Sequence, residues 1–104
     1  MAAEVTDTGL LTSCGQALYG PNFQAGLARD LVVNDRTVRR WVAGDVPVPV
    51  AVWADVATLM SSLAGALRQL DATGSRREKL DERAALLDEL AGRAAARAPT
   101  TLDP

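Results

Sequence analysis

The sequence holds no histidine, one cysteine, one lysine and four aromatic residues in 104 positions. Without histidine the chain lacks the commonest general base and the usual imidazole ligands of zinc. Cys14 has no second cysteine to pair with, so an intramolecular disulfide and a thiolate metal set are both excluded. It reads as a small packing residue in an intracellular, metal-free protein. No phosphate-cradling glycine loop and no nucleophile beside a recognisable base is present, so neither an enzyme, a cofactor nor a small-molecule ligand is expected. The first residues, Met1 to Asp7, are acidic and carry no positively charged leader. The apolar window from Val46 to Ala54 contains two prolines and falls well short of the ~20 residues that span a bilayer. A cytoplasmic protein without a membrane partner is the expectation. A broad basic surface is missing too: 11 basic against 13 acidic residues leave a net charge of −2, which counts against nucleic acid as a partner.

What is present favours helix. Hydrophobic residues make up 48% of the chain, so Leu, Val and Ala build the core, with Tyr19, Phe23, Trp41 and Trp53 as its few large fillers. The expected fold is all-α, with an N-terminal helical domain over residues 1–59, a C-terminal helix or helical hairpin over 60–98 and a tail over 99–104. Asp7 or Thr8 caps a first helix bearing Leu10, Leu11, Cys14 and Leu18 on one face, which stops at Gly20-Pro21. Asn22 is placed to cap a second helix with Phe23, Leu27, Ala28 and Leu31 turned inward. Val32-Val33 forms a turn, and Asn34 caps a third helix ending at Gly44. Two prolines stiffen residues 45–49 as an extended connector. From Pro49 a long helix runs through Trp53, Val56, Leu59, Met60, Leu63, Leu67 and Leu70, with Gly65 a weak point. After a break at 71–74, Ser75 and Glu78 match a capping box opening a last helix. Its seam of Leu80, Ala84, Leu87, Ala91 and Ala94 needs a partner.

The second and third helices carry the functional signal. Val38, Trp41 and Val42 anchor the third helix inward, while Arg36, Arg39 and Arg40, again at plus three and plus four, face outward. In a helix-turn-helix the first helix crosses the phosphate backbone and the second lies in the major groove. Arg36 and Arg39 are therefore expected on base edges, with Arg40 shared between base and phosphate. Asn34, Asp35 and Thr37 complete the DNA-facing set, Asp35 either accepting from cytosine or favouring the positive helix end. Gln24 and the free amides at the starts of the two helices suit phosphate.

The stretch Ala28-Arg-Asp-Leu-Val-Val-Asn-Asp-Arg-Thr-Val-Arg-Arg-Trp41 resembles the Cro and phage-repressor class of helix-turn-helix domains, also called lambda-repressor-like or XRE-type. The resemblance covers residues 10–59, about half the chain. It implies that Gln24 clamps a phosphate, that Asn34, Arg36, Arg39 and Arg40 face DNA, and that Gly44 ends the recognition helix. Val32 departs from it: the class has glycine there, and a β-branched residue is expected to reshape the turn. The implied function is a sequence-specific transcriptional regulator, a repressor of phage or mobile-element type. Such a protein binds inverted half-sites in double-stranded DNA as a homodimer. Leu63, Leu67 and Leu70, with the seam from Leu80 to Ala94, are the expected dimer surface, the seam either crossing to a second copy or folding back as a hairpin. The rival reading is a protein-binding adaptor, an antitoxin or a phage-encoded inhibitor, and the net negative charge is its support.

Overall fold

Glycine and proline set where the first helices stop. The fold is that of a computed structural model that describes residues 7–98, in the order α1 (Asp7–Tyr19), α2 (Gln24–Leu31), α3 (Asp35–Ala43), α4 (Val50–Gln69) and α5 (Gly74–Arg97). No strand occurs among the described residues, so the fold is all-α. Gly20 ends α1 at φ 90° and Gly44 ends α3 at φ 83°, both in the left-handed region that glycine adopts without strain. Residues 45–49 are non-helical, and α4 starts directly after Pro49. The tail from Pro99 and the segment before Asp7 lie outside the described residues.

Two expected caps are replaced by tertiary contacts. Phe23, not Asn22, occupies the N-cap of α2, with no side-chain hydrogen bond. Phe23 is 2% exposed, and its ring lies so close to Gly15 that a Cβ there would come within 2.2 Å of it. Burying the ring against α1 fixes the start of α2 more firmly than an amide cap does. At α5 the capping box does not form: the helix opens two residues early, with Thr73 at the N-cap and no side-chain bond. Arg77 organises that turn instead. Its guanidinium donates to the Leu70 carbonyl at 2.8 Å and the Leu67 carbonyl at 2.9 Å, and pairs with Asp81 at 2.9 Å. A cation on the orphan carbonyls ending α4 satisfies acceptors that the helix cannot.

Helix α4 runs unbroken from Val50 to Gln69, across the expected division at 59/60. Its Trp53, Val56, Met60, Ala64 and Leu67 are buried with Ala84, Leu87, Leu90, Ala91 and Ala94 of α5 in one core that also holds Leu10, Leu11, Phe23, Leu27, Val38 and Trp41. Helix α5 therefore folds back on α4, as the short link over residues 70–73 dictates for antiparallel neighbours. Of the two arrangements expected for the seam, the single chain has the hairpin: Leu67, Ala84, Leu87, Ala91 and Ala94 are all at most 6% exposed inside it. Leu63 and Leu80 are half-buried, and Leu70 is exposed. Helix α4 is also long and apolar enough, by length and composition, to cross a membrane, with a mean hydropathy of 1.5. The window from Val46 to Ala54 overlaps only the start of this stretch, one face of which is core.

Helix α5 is tied to α1 as well. Arg83 donates to the Ala17 carbonyl at 3.3 Å, and Arg97 pairs with Asp7 at 2.7 Å while lying 5.7 Å from the Trp53 ring centre. Cys14 is fully enclosed in this core, and burial pushes its thiol up to about 11, so it is a protonated apolar filler.

Candidate functional site

The sharpest separation of faces in the chain lies on α3. Val38 is 0% and Trp41 3% exposed, and Val42 packs at the edge of the core. Arg36, Arg39 and Arg40 lie on the opposite side, all exposed. Together with Ala43 and Asp45 they line a shallow open concavity of about 470 Å³. Ala43, one turn beyond Arg39 and Arg40, is small enough to leave the arginine heads room on either side.

Three devices hold this helix. At its start the Asn34 side chain accepts from the Arg36 amide at 2.9 Å, while the Asn34 carbonyl accepts from Thr37 at 2.9 Å. At its end the Gly44 amide donates to Trp41 at 3.1 Å and the Asp45 amide to Arg40 at 3.0 Å, the pattern of a left-handed C-cap. From the side, the Thr8 hydroxyl of α1 donates to the Trp41 carbonyl at 3.3 Å. The helix is therefore fixed in rotation as well as position, which keeps the arginine face outward.

Charge pairing separates these arginines from five others among the described residues. Arg29, Arg68, Arg77, Arg93 and Arg97 each pair with a carboxylate: Asp30, Asp88, Asp81, Glu89 and Asp7 respectively. Among the described residues no carboxylate oxygen comes within 4.0 Å of the Arg36, Arg39 or Arg40 guanidinium groups. Three like charges on one exposed surface raise the local potential even though the chain is acidic overall.

Helix α2 is locked to α1 beside this site. The Tyr19 hydroxyl donates to Asp30 Oδ2, and a Cβ on Gly26 would lie 2.8 Å from the Tyr19 ring. That hydrogen bond, with a second from Arg29, holds the Asp30 carboxyl below its ordinary range, while burial and the same bond push the Tyr19 hydroxyl up. Between α2 and α3 the chain reverses through Val32, in the left-handed region at φ 58° and ψ 48°. The β-branched residue does not reshape the turn, contrary to the expectation from the sequence. The turn instead carries the strain, with the Val33 amide bonded to the Ala28 carbonyl at 2.9 Å.

The remaining expected contacts divide. Asp35, the first residue of α3, is exposed near the arginines. Gln24 opens α2 and is half-buried. Thr37 is half-buried and does not line the arginine concavity, and the Asn34 oxygen is engaged as a cap. Asp45 is the residue the sequence reading missed. Its signal was Gly44: a left-handed glycine after a helix turns the next residue back over the last turn.

No protein-family model matches this chain, and no characterised protein or solved structure matches it at a significant level.

Proposed function

We propose that this chain is a sequence-specific, double-stranded-DNA-binding transcriptional regulator, a repressor on a lambda-repressor-like helix-turn-helix scaffold formed by α2, the turn at Val32-Val33 and α3. One observation carries the reading: three guanidinium groups, exposed and without an ion-pair partner among the described residues, share the outward face of a helix pinned by Val38 and Trp41. Arg36, Arg39 and Arg40 enter the major groove, and paired hydrogen bonds from an arginine to guanine O6 and N7 discriminate by ~1 to 3 kcal/mol against the wrong base. The free amides opening α2, with Gln24, take phosphates and set the register.

A nine-residue helix reads few base pairs. Two copies on inverted half-sites, ~34 Å apart, double the reading, and the homodimer belongs to this proposal. Because most of the α5 seam is internal, the exposed Leu70 and the half-buried Leu63 and Leu80 are what the earlier surface leaves for a second copy. Repression follows by occupying a promoter and blocking polymerase.

Selection from a pool of random duplexes, read by the symmetry of the enriched sites, tests binding and dimer geometry together. Retention should fall steeply with salt, because each neutralised phosphate releases counterions. Arg39→Ala should relax preference at one base pair and weaken operator binding by ~1 to 3 kcal/mol without moving the melting temperature. A chain that enriches no sequence and holds no duplex at low salt is not this regulator. The adaptor reading, which the net charge of −2 favours, would then stand.

A further inference from the structure

We infer that Asp45 is a specificity-determining residue of the α3 face, and that with Arg40 it reads the two halves of a single G·C base pair. The inference rests on the DNA-binding reading and deepens it. Arginine side chains offer donors only. A face built from Arg36, Arg39 and Arg40 alone meets guanine O6 and N7 well, yet it meets phosphate oxygens equally well, and phosphates flank every base pair. Such a face selects guanine but leaves unread any base edge that presents a donor. An ionised carboxylate is the opposite element, because it accepts only and is repelled by phosphate. Beside DNA it is compensated only where the groove presents a donor.

Asp45 supplies that acceptor in a fixed place. It lines the same concavity as the three arginines. Its backbone is held by the hydrogen bond its amide donates to the Arg40 carbonyl at 3.0 Å, after Gly44 at φ 83° has turned the chain back. The connector beyond it is restrained by Pro47 and Pro49 and by Val48, 6% exposed in the core. No arginine nitrogen comes within 4.0 Å of its carboxylate among the described residues, so its acceptor capacity is not consumed within the chain.

Across the major groove a G·C pair presents acceptor, acceptor and donor: guanine N7, guanine O6 and cytosine N4. Arg40 beside Asp45 presents donor, donor and acceptor. Adenine fits less well, because its N7 acceptor flanks the N6 donor and repels a carboxylate. The class of target is therefore a half-site with guanines opposite Arg36 and Arg39 and a G·C pair, cytosine toward Asp45, at the end nearest the C-terminus of α3.

Selection from a random-core duplex pool with the wild-type chain, Asp45→Ala and Asp45→Asn tests this, alongside titration against one fixed random duplex. The wild-type chain should enrich cytosine at one position of each half-site. Asp45→Ala should lose that preference by about tenfold or more while holding the random duplex more tightly, and Asp45→Asn should move it toward adenine, which an amide reads through N6 and N7. Unchanged preferences in both variants overturn the inference and leave the regulator standing. So does a uniform gain in affinity with every preference kept, since the carboxylate would then act by charge alone. A wild-type chain that holds no duplex overturns both readings.

Discussion

Val32 is the one non-glycine residue at positive φ among the described residues, and it is highly exposed. Its φ of 58° places Cβ against the following carbonyl, at about 1 to 2 kcal/mol for an L-residue, and 87% exposure means almost no burial offsets this. Val32→Gly removes the strain but frees the unfolded backbone, which returns about 0.5 to 1 kcal/mol. The net expectation is a gain of about 1 kcal/mol in urea unfolding; a loss would show that the turn is not strained. The Tyr19–Asp30 bond makes a different kind of prediction. The folded Asp30 carboxyl is lowered, so its contribution is complete above the unfolded value of ~3.9 and is lost as pH falls through the folded one. The folded Tyr19 hydroxyl is raised, so its contribution is complete below ~10 and is lost as pH rises through the folded value. Tyr19→Phe should cost about 1 kcal/mol at neutral pH, less than a buried bond to a charged group because Asp30 stays 34% exposed. The difference between variant and parent should shrink in acid below ~4 and in alkali above ~10. A difference constant across that range would remove the bond from the stability of the fold.

At the scale of elements, glycines separate what a helix needs from what its neighbours need. Gly65 lies within α4 with nothing within 4 Å of a built Cβ, so Gly65→Ala should stabilise by about 0.5 to 1 kcal/mol through backbone entropy alone. Gly15 lies within α1 where a built Cβ would come 2.2 Å from the Phe23 ring, so Gly15→Ala should destabilise by about 1 to 3 kcal/mol as the ring is forced from its site. Thermal melts of the two variants should shift in opposite directions. The same distinction explains which elements were legible in the sequence. The ends of α1 and α3 at Gly20 and Gly44 were, since a left-handed glycine acts through the backbone wherever it lies. The Asn34 cap was, because the residue is exposed and nothing competes for it. The starts of α2 and α5 were not: Phe23 and Arg77 decide them through α1 and the end of α4, partners that no local window contains. The arginine face of α3 was legible from its spacing, whereas Asp45 belongs to a connector and reaches that face only through the turn at Gly44.

Over the whole molecule, the seam from Leu80 to Ala94 was readable but its partner was not. Apolar spacing states that a helix must be covered and says nothing about which helix covers it. The link over residues 70–73 supplies the answer, because it is too short to do other than return α5 along α4. A consequence follows for Leu87, 0% exposed between the two helices. A carboxylate there meets no compensating cation, and an uncompensated charge in an apolar core costs about 3 to 5 kcal/mol, a large part of the ~5 to 15 kcal/mol that holds a small domain. Leu87→Asp should therefore broaden or abolish the cooperative melt followed by circular dichroism, and duplex binding should fail with the fold. Leu70→Asp, at a position 44% exposed, should leave the melt within about 1 kcal/mol of the parent. A Leu87→Asp chain that melts like the parent and differs only in mass by sedimentation would put that side chain between two subunits. Helix α5 would then cover a second copy rather than its own α4, and the three guanidinium groups of α3 would be carried by an exchanged dimer.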